Sequence, residues 1–95
     1  MDIRAAVIGA GLAGKGHTEA LQGQGAIVEV LCGRTPDTTT SVAQELGVKN
    51  VRFNWREAIR EFEPNLVVVA TPAAERREMI EESAKLGCHI VCEKP

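Results

Sequence analysis

Gly9-Ala10-Gly11-Leu12-Ala13-Gly14 spaces three glycines as G-x-G-x-x-G, directly after an apolar run and at the head of a helix-forming segment. The chemistry this spacing suits is anion binding by backbone. Gly9 permits a tight turn. Gly11 has no Cβ to hold off a pyrophosphate. Gly14 lets the helix pack close to the preceding strand. The anion then meets free N–H groups and the positive end of a helix dipole. Alone such a motif is weak, but here it leaves a strand and opens a helix, which is the context it requires. The expected ligand is a dinucleotide, with Leu12 and Ala13 among its contacts. The competing reading is a turn that only closes a strand–helix–strand unit, and three glycines so placed exceed what that needs.

A second group stands nineteen positions after Gly14, where an Asp or Glu at the end of the second strand would accept hydrogen bonds from the ribose hydroxyls of NAD. This chain has Gly33-Arg34-Thr35 there instead. No acid repels a 2′-phosphate, Gly33 leaves room for it, Arg34 can pair with it and Thr35 can donate a hydroxyl. A charge-assisted hydrogen bond contributes about 1.5–3 kcal/mol, or roughly ten- to a hundredfold in affinity. The expectation is NADP(H) preferred, with NAD(H) possible. Arg34 has a second reading, as a solvated loop cation or a stack on adenine without discrimination.

The remaining candidates end the fourth and fifth strands. Ala70-Thr71-Pro72 and Glu93-Lys94-Pro95 should line the same cleft, because ligands of open α/β sheets lie at the carboxyl ends of the strands. Lys94 is the cation best placed for catalysis; its other reading is a flexible last turn of the chain. His17 reads as a helix residue packed beside the glycine turn rather than a proton carrier. Trp55 reads as capping or packing the third helix.

The elements that position these residues alternate in period. Strands are expected at residues 3–8, 27–32, 51–53, 66–70 and 89–92. Helices are expected from about Ala13 to Gln24, from Pro36 to Gly47, from Asn54 to about Glu63, and from Thr71-Pro72 to Gly87. Thr35, Pro36 and Asp37 form a helix start, and Asn54 with Glu57 has capping-box spacing. Val42, Ala43 and Leu46, then Met79, Ile80, Ala84 and Leu86, are the expected inward faces. Leu66 to Ala70 is continuously apolar, as for a central strand covered on both sides. Helical crossovers make the strands parallel. The fold class is therefore α/β: a doubly wound sheet in three α/β/α layers, with strand order 3-2-1-4-5. Residues 1–95 read as one domain.

Composition narrows the function. The chain has 95 residues, net charge −2, 44% hydrophobic and 25% charged residues, so neither nucleic acid nor an anionic membrane is an expected partner. No apolar run is long enough to span a bilayer. Three cysteines without C-x-x-C spacing read as small buried residues in a reducing, cytoplasmic setting. Cys88 and Cys92 would lie roughly 13 Å apart along a strand, too far for a disulfide.

Val7 to Gly14, His17, Leu21, Leu31-Cys32-Gly33-Arg34, Val68 to Pro72 and Cys92-Glu93-Lys94-Pro95 run in order along the chain. In these residues it resembles the N-terminal NAD(P)-binding domain of the glucose-fructose oxidoreductase / inositol dehydrogenase (Gfo/Idh/MocA) family. The E-K-P ending discriminates most, since generic dinucleotide folds lack it. The resemblance implies hydride transfer between a nicotinamide and the carbinol of a sugar, cyclitol or related polyol. It implies that Lys94 hydrogen-bonds the reacting oxygen, that Glu93 and Pro95 shape its turn, and that the backbone near Thr71 and Pro72 touches the cofactor. It also implies a C-terminal substrate domain beyond these residues, so this stretch alone is expected to be inactive. The alternative is a stand-alone dinucleotide-binding or interaction module. The family often has T-P-N-x-x-H where this chain has Thr71-Pro72-Ala73-Ala74-Glu75-Arg76. Arg76 either replaces that histidine or faces solvent, the latter being favoured. The fifth strand, left as an edge, is expected to promote self-association into a homo-oligomer.

Overall fold

The computed structural model describes residues 2–71 and 75–92. Among them strands and helices alternate: β1 (Arg4–Ile8), α1 (Leu12–Gly23), β2 (Ile27–Cys32), α2 (Pro36–Leu46), β3 (Asn50–Arg52), α3 (Trp55–Phe62), β4 (Leu66–Val69), α4 (Arg76–Lys85) and β5 (His89–Cys92). All strand pairs are parallel and the sheet order is β3-β2-β1-β4-β5. The expected topology is borne out.

Alternation along the strands divides the core. Ala6, Ile8, Val67 and Val69 face Ala58, Ile59 and Met79 of α3 and α4. Ala5, Val7 and Val68 face the other way, toward Ala43, with Leu21, Val42 and Leu46 of α1 and α2 packed alongside. β2 changes parity midway. Ala5 pairs with Val28 but Ala6 pairs with Val30, so Glu29 is an extra residue. A one-residue insertion flips every later side chain to the opposite face. Val28 and Leu31 therefore share one layer, and Val30 and Cys32 the other.

Local chemistry sets the helix ends. Thr35 is the N-cap of α2 with Pro36 behind it, and Gly47 closes that helix in the left-handed region at φ 73°. The Asn54 side chain accepts a bond from the Glu57 backbone N–H at 3.2 Å, as its spacing predicts. Glu63 closes α3 at φ 46°, the one described non-glycine residue with positive φ, and its carbonyl accepts from Arg4 Nη2 at 3.0 Å.

Four expectations are corrected. β3 begins at Asn50, whose side-chain amide donates to the Glu29 carbonyl at 2.8 Å and pins the strand one residue early. α4 starts at Arg76 rather than Thr71-Pro72. Thr71 is not free to cap it: its hydroxyl lies 3.5 Å from Met79 Sδ, and its carbonyl accepts from Arg76 Nη2 at 3.0 Å. On α4 the inward stripe is Met79 and Ser83, four residues apart; Ala84 is exposed and Leu86, beyond the last turn, is 50% exposed. Cys92 is exposed because β5 pairs on one side only, whereas Cys32 is buried and Cys88 half-buried.

Candidate dinucleotide site

The order of the strands reverses between β1 and β4, and crossovers leave in opposite directions there, opening a crevice at the carboxyl end of the sheet. The turn Gly9–Gly11 sits at this point. The Gly9 N–H donates to the Cys32 carbonyl at 2.7 Å, and the Ala70 N–H to the Ile8 carbonyl at 2.8 Å. The ends of β1, β2 and β4 are thus tied together, and Gly9 turns the chain at φ +116° with its Cα facing the Ala70 backbone.

The other two glycines of the motif have opposite surroundings. A Cβ on Gly14 would lie 1.7 Å from the Gly9 carbonyl oxygen, so α1 can approach β1 only with glycine there. A Cβ on Gly11 would meet nothing within 4 Å. Gly11 is the N-cap of α1 at φ −76°, and no acidic side chain stands in the first turn. The dipole there is uncompensated and the approach to its N–H groups is open, which is what an incoming pyrophosphate needs.

A cleft of about 380 Å³ runs from this turn across the sheet end. Gly9, Gly11, Gly33, Arg34, Thr35, Ala70 and Thr71 all line it, so the glycine turn, the β2 end and the β4 end share one site as the sequence predicts. Leu12 and Ala13 open α1 but do not line the cleft, and Leu12 is 90% exposed. Pro72, Glu93, Lys94 and Pro95 lie outside the described residues.

Other lining residues carried no signal in the sequence. Trp55 packs α3 as expected, with Arg56 over its ring at 4.5 Å, but it also walls the cleft together with Phe53. Glu75 crosses the mouth and pairs with Arg34. Arg76 does not face solvent: it is half-buried and braces the Thr71 carbonyl. These contacts join residues up to forty-one positions apart, which no local pattern announces. His17 lies half-buried on α1, consistent with a packing role.

Cys32 lines the cleft as a neutral thiol, its pKa pushed up to about 11 by burial. We expect a thiol-labelling time course at pH 8 to show Cys92 reacting first and Cys32 only on unfolding. With the folded value above the ordinary 9.0, the stability contributed by burying this thiol is complete below pH 9 and is lost as pH climbs toward 11.

Comparison with known proteins agrees with this geometry. Residues 3–95 match the family model described as "Oxidoreductase family, NAD-binding Rossmann fold". The chain is 30% identical over 96 residues to inositol 2-dehydrogenase of Rhizobium meliloti, covering 100% of this chain and 28% of that protein. The structure of myo-inositol 2-dehydrogenase from Lactobacillus plantarum superposes with a TM-score of 0.91 at 27% identity, over 100% of this chain and 29% of that one. A levoglucosan dehydrogenase in complex with NADH and levoglucosan superposes with a TM-score of 0.89 at 28% identity, over 100% and 28%. The chain spans between a quarter and a third of the length of these proteins.

Proposed function

Because this chain belongs to the Gfo/Idh/MocA oxidoreductase family and forms its NAD-binding Rossmann domain, we propose that it serves hydride transfer to or from the carbinol carbon of a sugar, cyclitol or related polyol, with NADP(H) preferred over NAD(H). The observation that carries the binding half of this reading is the contrast at the glycine turn. Space is closed at Gly14 and open at Gly11, above a helix N-terminus without an acid. The substrate half is supported by the inositol and levoglucosan dehydrogenases it resembles. A bound nicotinamide supplies the acceptor for the carbinol hydride, while the hydroxyl proton leaves separately to a base.

The residues divide the work. The Gly9–Gly14 turn and the first N–H groups of α1 would hold the pyrophosphate. Gly33, Arg34 and Thr35 would hold the adenosine ribose. Ala70 and Thr71 would stand on the nicotinamide side of the cleft, and the family resemblance gives Pro72 a cofactor contact and Lys94 a hydrogen bond to the reacting oxygen.

Arg34 must exchange Glu75 for a 2′-phosphate. The magnitudes favour that exchange. A solvent-facing ion pair contributes at most about 1 kcal/mol, and Arg34 is 73% exposed. A charge-assisted bond to phosphate contributes about 1.5–3 kcal/mol. Fluorescence titration with NADPH and NADH tests the reading. NADPH is expected to bind the tighter, and Arg34→Ala to weaken it by roughly two- to thirtyfold, the difference between those two contributions, while changing NADH little. Equal or tighter binding of NADH overturns the preference, and failure to bind either overturns the dinucleotide site.

A further inference from the structure

The side chain that sets the character of the β2 end is not at that end. Gly33 needs no unusual backbone angle, yet a Cβ there would lie 2.2 Å from Thr39 Oγ1 and 3.1 Å from the Ala10 Cβ. Thr39 is fully buried on the first turns of α2, and its hydroxyl has no hydrogen-bond partner among the described residues. Burying an unpaired hydroxyl is unfavourable, so packing alone gives no reason for threonine over alanine or valine at this position. What the hydroxyl does is fill the volume that a side chain at position 33 would use. Threonine has two χ1 wells in a helix, and in the one it occupies here the oxygen takes that volume at the edge of the cleft.

We propose that Thr39 is a positioning residue that acts through Gly33. It excludes from the strand end the acid that would engage the ribose diol of NAD, and leaves the 2′ position facing Gly33, Arg34 and Thr35. The inference rests on the dinucleotide reading above, and it adds a positioning residue six places from the motif that carries that reading.

A double-mutant cycle tests it. Gly33→Asp, Thr39→Ala and the double variant are compared with the unaltered chain by thermal melting without ligand and by NADPH and NADH titration. Gly33→Asp alone is expected to lower the melting temperature by about 10 °C, as overpacking does in a small domain. Adding Thr39→Ala should recover part of that loss, since it removes the 2.2 Å contact and leaves the Ala10 Cβ at 3.1 Å and the Cβ of residue 39 at 3.3 Å. The double variant should then shift the NADPH-to-NADH affinity ratio toward NADH by roughly tenfold or more. Thr39→Ala alone should melt within a few degrees of the unaltered chain, since it removes a buried hydroxyl without a partner. Equal melting temperatures for Gly33→Asp with and without Thr39→Ala overturn the contact. A recovered melting temperature with an unchanged ratio overturns the role in selectivity. The melting cycle needs no cofactor, so it judges the contact even if the unaltered chain binds neither dinucleotide, a result that would sink the proposed function instead.

Discussion

Gly14→Ala is expected to cost at least about 3 kcal/mol of stability, which at a slope of about 1–3 kcal/mol per molar lowers the urea midpoint by roughly 1 M or more. The usual expectation for a helix interior is the reverse: alanine is favoured over glycine by up to about 1 kcal/mol. Geometry decides between them. The added methyl would stand 1.7 Å from the Gly9 carbonyl oxygen and 2.7 Å from its carbon. Both are backbone atoms, so no rotamer change relieves the clash. Gly9 is held as well, because its N–H is bonded to the Cys32 carbonyl at 2.7 Å and even a Cβ on it would stand 3.0 Å from the Ala70 backbone. α1 would have to lift off β1 as a body. Urea denaturation followed by far-UV circular dichroism checks this, and a variant that unfolds at the unaltered midpoint would show that the helix sits farther from the strand than described.

Gly11→Ala should do the opposite. Its φ of −76° suits any residue and the methyl would point into open space, so folding should lose no more than about 1 kcal/mol, the cost of an alanine at an N-cap. The same methyl occupies the approach to the α1 N-terminus. NADPH and NADH should both weaken by about a hundredfold, or ~2.7 kcal/mol, while the melting temperature falls by no more than roughly 8 °C. Two glycines three residues apart thus separate folding from binding. A Gly11→Ala variant that binds as tightly as the unaltered chain would mean that the pyrophosphate does not approach over this residue.

Much of this was legible in the sequence because it is local. The G-x-G-x-x-G spacing, the Thr35-Pro36-Asp37 start of α2, the Asn54 cap and the apolar run of β4 each report on a few neighbouring residues. Backbone sterics and one-turn hydrogen bonds are governed at that range. Where the local signal was thin the boundary moved. β3 slid to Asn50 for a side-chain bond to Glu29, and α4 began late because Thr71 was already engaged by Met79 and Arg76.

The glycine turn, the five alternating units and the missing acid at the β2 end were determined by the sequence itself, since each follows from residue type at a fixed spacing. Tertiary structure alone decided which of these residues touch. It put the Thr39 hydroxyl in the space beside Gly33, Glu75 across the cleft against Arg34, and Trp55 in its wall. It also turned the end of β2 over by one extra residue at Glu29. Such contacts depend on how helices and strands distant along the chain fill a shared volume, and close packing resolves that only when the whole domain is assembled.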